Sequence, residues 1–174
     1  MIFALPAPNL YESQGRIAGH KHTPTSRESL RSLKPLVPRL KELNIAKVIC
    51  AELDEATGQW LARRLNVPYE SWTSLNRFNA GKSHGIKSQA WSQLMDTMEV
   101  MWAEKPDVPV KGGDSRTSFT RRMAASRERL SKPGLSSASA PAQVLVVAPR
   151  QVIGALLQQD ATSLIPGRVY QASL

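Results

Sequence analysis

The sequence predicts an α/β protein, a three-layer α/β/α sandwich with a mostly parallel central sheet. Short apolar segments rich in β-branched residues alternate along the chain with segments whose apolar residues recur at helical spacing. The clearest example is the VLVV run at residues 144–147, because a helical pattern follows it after a three-residue turn. Continuous apolar strands are typical of parallel sheets that are covered on both faces. Ligands bind such sheets where a strand ends and a helix begins, so residues 148–150 are expected to lie at a site.

The other elements can be placed by the same two periodicities. Strands are predicted at four further places: 2–5, 46–51, 68–71 and 168–172. Helices are predicted at four further places: 26–43, 53–65, 91–102 and 114–130. Pro35 and Pro38 are expected to interrupt the first of these helices, and Ser26 is expected to cap it. The Trp and Met stripe of the third helix indicates core packing, and residues 131–141 are rich in Ser, Ala, Pro and Gly, as in a flexible connection.

Length and composition favour one soluble domain. With 174 residues, of which 41% are hydrophobic, the chain can bury a sizeable core, so we expect a single domain over residues 1–174. The only cysteine, Cys50, lies in an apolar segment, which excludes an internal disulfide framework and a cysteine-based zinc site. We expect no metal and no organic cofactor. No apolar run approaches the ~20 residues of a membrane span and the N-terminus lacks a signal-peptide pattern, so we expect a cytoplasmic protein.

The net charge of +9 would suit an anionic partner such as nucleic acid or an acidic protein. Residues 111–133 carry seven Lys and Arg against two acidic residues, so most of the excess lies in one predicted helix and its flanks. A solvated basic helix face is the preferred explanation of this charge. Aromatic residues for base stacking are nearly absent from the segment, which counts against binding of single-stranded nucleic acid. An electrostatic binder of nucleic acid or an acidic partner is kept as an alternative.

Five short motifs occur in an order that a known family shares. They are ALPAPN at 4–9 with GR at 15–16, AELDEA at 51–56, LNRFNAGKSHG at 75–85, GGDS at 112–115 and VLVVAPR at 144–150. Together they resemble the histidine phosphatase superfamily, the phosphoglycerate mutase-like enzymes, over almost the whole chain. That family reads LVRHGET with NxxGR, SDLxRA, LNERxYG, GGES and VLVVSHG at these places. The resemblance implies the same α/β/α fold.

The resemblance also implies which positions would carry the reaction. In such enzymes one histidine attacks phosphorus, two arginines and a second histidine hold the phosphoryl oxygens, and a carboxylate protonates the leaving oxygen. The corresponding residues here are Leu5 and Glu55 for the arginines, Pro6 and Pro149 for the histidines, and Arg77 for the acid. Phosphoryl transfer depends on positioned groups that neutralise charge, and a proline side chain can neither attack nor donate. We therefore expect a catalytically inactive protein, a pseudo-enzyme that acts as a binding or interaction module.

Two states of the old cleft are compatible with this interpretation, a cleft that has been filled or remodelled and a cleft that keeps a residual anion site. Five polar residues are expected to surround the old cleft: Asn9, Arg16, Lys82, Ser115 and Arg150. The resemblance places Arg16 at a position that tends to contact substrate in the family. A phosphate-like anion is therefore one candidate ligand. Glu55 and Arg77 have the opposite charges to the residues they replace, so we expect them to approach each other in the space a phosphate would use.

An enzyme with relocated catalytic residues is the other alternative, and it would be a phosphoric-ester hydrolase or a phosphotransferase. The only imidazoles are His20, His22 and His84, all in predicted loops. His84 lies in the loop that carries the acid in the family, from which it could enter the cleft. The natural partner and the oligomeric state are left open by the sequence.

Overall fold

The computed structural model describes residues 1–132 and 142–174, so most of the connection predicted at 131–141 lies outside the described residues. Its sheet has five strands: β1 Ile2–Ala4, β2 Ile45–Ala51, β3 Tyr69–Trp72, β4 Gln143–Val147 and β5 Val169–Gln171. Their order across the sheet is β3-β2-β4-β1-β5, and only β5 runs antiparallel to its neighbour. The predicted fold class, a three-layer α/β fold with a mostly parallel sheet, is confirmed, and the structure adds that β4 lies at the centre of the sheet.

Seven helices accompany the strands in the described part of the chain: α1 Leu10–Ser13, α2 Arg27–Arg31, α3 Leu36–Glu42, α4 Glu55–Leu65, α5 Ser88–Glu104, α6 Arg116–Ser131 and α7 Arg150–Leu157. The helix predicted from Ser26 is divided into α2 and α3, as the prolines suggested. Ser26 caps α2 by accepting a hydrogen bond from the amide of Ser29, and Pro38 lies in the first turn of α3, where a missing N–H is tolerated. No helix of the described residues is both long enough and apolar enough to cross a membrane.

The two faces of the sheet are covered by different helices, which gives the three layers. On one face, Val144 and Val146 of β4 pack with side chains from α6 and α7. On the other face, Leu145 and Val147 pack with side chains from α3 and α4. This alternation along β4 explains the continuous apolar run, because a strand between two helical layers has no polar side.

A third apolar cluster lies apart from the sheet. It joins Met98 and Trp102 of α5 to Phe78 and Val110, with Phe119 of α6 packed against it. The Trp and Met stripe therefore does contribute to a core, but to a local one beneath α5. The cluster fixes the position of α5 beside the carboxyl edge of the sheet, where the candidate site lies.

Candidate functional site

A cleft of about 500 Å³ opens at the N-terminus of α7, just beyond the end of β4. Arg150 and Gln151 of α7 contribute to its lining, and so do Ser88 and Trp91 of α5. The rest of the lining comes from α1 and two loops: Glu12, Arg16, Ile17, Ala18, Arg77 and Phe78. The structure thus places a cleft where the sequence predicts a ligand site, at a strand-to-helix turn of the parallel sheet.

Two prolines occupy equivalent positions at the carboxyl ends of adjacent strands. Ala4 of β1 pairs with Val147 of β4, and each is followed two residues later by a proline, Pro6 and Pro149. The amide of Ala148 still donates to the carbonyl of Ala4, at 3.3 Å, so the two strands stay in register to their ends. These are the two positions at which the family resemblance expects histidine. Here they offer a rigid backbone and no polar side-chain group.

A buried ion cluster lies beside these strand ends, centred on Arg77. The guanidinium of Arg77 donates to Asp54, with Nη2 and Oδ1 2.5 Å apart, and also to the carboxylate of Glu12. The side chains of Arg77 and Asp54 are only 6% and 3% exposed, whereas that of Glu12 is 35% exposed. Glu12 is held in turn by a capping box, in which it accepts from the amide of Asn9. One cation therefore bridges two carboxylates at the edge of the cleft.

Burial sets the protonation of this cluster. Burial raises the pKa of Asp54 from 3.8 to about 6, with Glu12 adding to the rise, while the charge of Arg77 acts against it. Burial acts to lower the pKa of Arg77, but the charges of Asp54 and Glu12 outweigh it and raise that pKa overall. Arg77 therefore keeps its positive charge. Among the described residues, neither Oδ2 of Asp54 nor Nε of Arg77 has a hydrogen-bond partner. Asp54 is therefore a carboxyl group that gains a proton within the range of mildly acidic pH.

The loop that carries Arg77 is fixed from behind by Arg122 of α6. The guanidinium of Arg122 donates to the backbone carbonyls of Ser74, Asn76 and Arg77. It also pairs with Asp114 at 2.8 Å. The carbonyls of Arg77 and Ser74 also meet His20 and Ser126, so Arg122 adds to a network of side chains that holds the loop. Arg122 is thus a structural residue of the loop, although the sequence places it in the basic helix.

The expectation that Glu55 approaches Arg77 is wrong. The buried partner of Arg77 is Asp54, the residue before Glu55 in the sequence. Glu55 is the first residue of α4 and accepts from the side chain of Gln59, one turn later, at 2.8 Å. Residues 52–54 form a short 3-10 turn that ends with Asp54 at the N-cap position of α4. This turn directs the side chain of Asp54 inwards. A carboxylate does meet Arg77, but it belongs to Asp54 and not to Glu55.

The five residues proposed for an anion site do not all lie together. Arg16 and Arg150 line the cleft, and Arg16 is anchored by donating to the carbonyl of Gly85 at 3.1 Å. Asn9 and Ser115 are buried, and their side chains cap α1 and α6. Lys82 lies over the turn at 111–112, away from the cleft lining. Only the two arginines are therefore placed to meet an anion in this cleft.

The three histidines lie outside the lining of the cleft. His84 accepts from the amide of Gly19 through Nδ1, at 3.0 Å, and burial together with nearby positive charge lowers its pKa. His20 contacts the carbonyl of Arg77 through Nε2, and His22 is exposed. His20 and His84 therefore support the loops around Arg77, and neither of these two faces the cleft.

The basic helix α6 has much of its charge compensated. Three of its arginines form ion pairs with nearby carboxylates: Arg116 with Glu99, Arg122 with Asp114 and Arg129 with Glu70. The guanidinium of Arg129 also lies 3.6 Å from the ring centre of Trp72. These contacts leave less unbalanced charge on the helix for an anionic macromolecule than its sequence suggests.

An aromatic hollow adjoins the cleft, and the sequence did not predict it. It has a volume of about 290 Å³ and lies between α5 and α6, with walls from Phe78, Trp91, Trp102 and Phe119. Only the spacing of the Trp residues hinted at it, and this spacing indicated core. Within residues 1–132 and 142–174, no group of three or more His, Cys, Asp or Glu side chains is arranged to hold a metal ion.

Comparison with known proteins agrees with this architecture. The family model of the histidine phosphatase superfamily (branch 1) matches residues 9–164 of the chain. Among curated proteins, none matches the chain significantly. The sequence therefore matches the family model, and the proteins with which it can be compared one by one are solved structures.

Several solved phosphatases have the same fold at low sequence identity. The α-ribazole phosphatase of Shigella flexneri superimposes with a TM-score of 0.70 at 19% identity, over 97% of this chain and 87% of that one. A mycobacterial glucosyl-3-phosphoglycerate phosphatase, solved with VO3, gives a TM-score of 0.70 at 18% identity, over 92% and 81%. A protein described as mycobacterial hydrolase 1 gives 0.71 at 19% identity, over 92% and 79%. These similarities show a shared fold.

Proposed function

This chain belongs to the histidine phosphatase superfamily, and we propose that it is a catalytically inactive member that binds a ligand in its cleft without transferring a phosphoryl group. The observation that carries the proposal is the pair of prolines at the adjacent strand ends. A histidine phosphatase needs an imidazole there to attack phosphorus, and Pro6 and Pro149 have none.

The ion cluster supports the same conclusion. Phosphoryl transfer needs positive groups whose hydrogen bonds are directed at the equatorial oxygens. In this chain, Arg77 directs its guanidinium at two carboxylates, Asp54 and Glu12. Two acidic groups beside the strand ends would repel a phosphate that approached them. The place where the family binds the transferred group is therefore electrostatically unsuited to it.

The remaining basic side chains define what the cleft can still do. Arg16 and Arg150 line it from two different elements, a loop and the start of α7. Guanidinium groups bind carboxylate and phosphate through paired hydrogen bonds. We therefore assign the cleft a binding role toward an anionic ligand, centred on these two residues, with the ion cluster at its edge.

Phosphatase assays test the proposal. The purified chain is incubated with a panel of phosphomonoesters that includes p-nitrophenyl phosphate, and released phosphate is compared with a protein-free blank. No release above the blank is expected. His84→Ala and His20→Ala serve as matched variants, because turnover that one of them abolishes would mean that catalysis has moved to a loop histidine and that the chain is an enzyme.

The binding role is tested separately by titration calorimetry with inorganic phosphate. Weak binding is expected, and both Arg16→Gln and Arg150→Gln should weaken it. Ser115→Ala is the control, because Ser115 caps α6 outside the cleft lining. Phosphate binding that neither arginine variant alters would contradict the assignment of the cleft.

A further inference from the structure

The aromatic hollow and the cleft are adjacent. Phe78, Trp91 and Gln151 line both of them. A ligand held between Arg16 and Arg150 in the cleft would therefore lie next to the aromatic walls of the hollow. The combined space falls in the range of small-molecule sites, which is about 300–1,000 Å³.

The walls of the hollow are rigid. The ring of Phe78 is central, because its centroid lies 6.2 Å from Trp91, 5.8 Å from Trp102 and 5.6 Å from Phe119, at tilts of 50–57°. Phe78 and Trp102 are buried, at 9% and 3% exposure, whereas Trp91 and Phe119 are half-buried. The two half-buried rings therefore present open surface to the hollow while the buried rings hold them in place. Such tilted and offset ring contacts are favourable packing for a further planar group.

The charges around this surface select the ligand. Arg16 and Arg150 line the cleft, and Arg77 beside them is neutralised by its two carboxylates. At the outer rim of the hollow, Glu99 is paired with Arg116 at 2.8 Å. A cation stacked on the rings would lie beside arginines. The two carboxylates that line the cleft and the hollow, Glu12 and Glu99, are each already paired with an arginine. An anionic group at the arginine end is the arrangement that the charges favour.

We infer that the cleft and the hollow together form a binding site for a planar aromatic molecule that carries one oxyanion group, a carboxylate or a phosphate. The oxyanion lies between Arg16 and Arg150, and the ring lies against Trp91 and Phe119. This inference rests on the proposed function in one respect, that the cleft binds an anion. It adds the aromatic half of the ligand, which the proposed function does not require.

Calorimetric titration with four probes tests the inference: 1-naphthyl phosphate, inorganic phosphate, 1-naphthol and the aromatic cation phenyltrimethylammonium. The joined ligand should bind about tenfold more tightly than either of its halves. Tenfold corresponds to about 1.4 kcal/mol, which lies within the range of about 0.5–1.5 kcal/mol for aromatic ring contacts. Trp91→Ala should remove this tenfold advantage. Phe119 lines the hollow but not the cleft, so Phe119→Leu should reduce the advantage and leave binding of inorganic phosphate unchanged. Trp60→Ala is the matched control, because Trp60 lies on α4 outside both cavities. Phe119→Leu is the second variant if Trp91→Ala does not fold.

Three results would overturn the inference. The first is 1-naphthyl phosphate binding no more tightly than inorganic phosphate. The second is an advantage that survives both Trp91→Ala and Phe119→Leu, and the third is phenyltrimethylammonium binding as tightly as 1-naphthyl phosphate. Release of fluorescent 1-naphthol during the titration is a different matter. It would refute the catalytically inactive assignment, while the ring-dependent affinity would still support the aromatic site.

Discussion

Replacing Asp54 by asparagine tests the electrostatics of the buried cluster. Burial raises the pKa of Asp54 from 3.8 to about 6 in the folded protein. Between these two values the folded chain holds a proton that the unfolded chain has already lost. Stability therefore falls as pH rises through this window, because the unfolded state binds fewer protons. The stabilising effect of the proton is fully present below about pH 4 and is lost above about pH 6.

The size of the effect follows from the same two values. A difference of one pKa unit corresponds to about 1.4 kcal/mol, so the window from 3.8 to about 6 corresponds to about 3 kcal/mol. The asparagine side chain cannot titrate, so the Asp54→Asn variant should lack this loss. The free energy of unfolding of the wild type minus that of the variant should therefore decrease by about 3 kcal/mol between about pH 4 and pH 7.

Urea unfolding at a series of pH values measures this difference directly. Asp96→Asn on α5 is the matched control, because Asp96 is exposed and belongs to no ion pair of the described residues. A difference that stays constant, or that increases with pH, would refute the reasoning. It would mean that Arg77 keeps Asp54 ionised across the whole range and that attraction outweighs burial.

Three further substitutions have expected outcomes that thermal and urea unfolding can check. Arg77→Met should destabilise the fold by about 3–5 kcal/mol near neutral pH, because it leaves the carboxylate of Asp54 buried without its partner; a loss below about 1 kcal/mol would contradict a buried pair. Ser115→Ala should destabilise by about 1 kcal/mol through loss of the α6 cap; an unchanged stability would count against the capping role. Gly81→Ala should destabilise the fold by at least about 1–2 kcal/mol, because Gly81 has a φ of +54° and an added Cβ would lie 2.3 Å from the carbonyl oxygen of Lys111. An unchanged stability would contradict the tight packing of this loop.

The fold could be predicted from the sequence because two independent signals agreed. The alternation of apolar strands and helical stripes indicates parallel α/β architecture, and five ordered motifs resemble one family. Each signal is carried by main-chain geometry and core packing, which depend on residue type over many positions. The division of α2 from α3 follows from the two prolines, whereas the strand order, with β4 at the centre of the sheet, was not predicted.

The site was harder to predict because it depends on where single side chains point. A motif position identifies Glu55, yet the 3-10 turn before α4 directs Asp54 to Arg77 instead. The polarity of Asn9 and Ser115 suggested an anion site, whereas both side chains are consumed by helix caps. The spacing of Asn9 and Glu12 is that of a capping box. Recognising it in the sequence would have predicted that Glu12 lies near the strand ends.

The aromatic hollow shows a different limit. Helical spacing assigns Trp91 and Trp102 to the same face of α5, and both do lie on the face toward the local core. Their exposure differs, because Trp102 is buried against Phe78 while Trp91 reaches the edge of the cleft. Periodicity identifies which face of a helix is apolar. It does not identify the point along the helix at which other elements stop covering that face.

The most direct test of the central claim is whether the protein can be phosphorylated on histidine at all. The chain is incubated with a stoichiometric radiolabelled phosphodonor, and base-stable, acid-labile phosphate on the protein is counted, which detects a single turnover even when steady-state release is negligible. Because the strand ends carry Pro6 and Pro149, no such label is expected. Stoichiometric label that disappears in His84→Ala or His20→Ala would contradict the account and make this protein an enzyme.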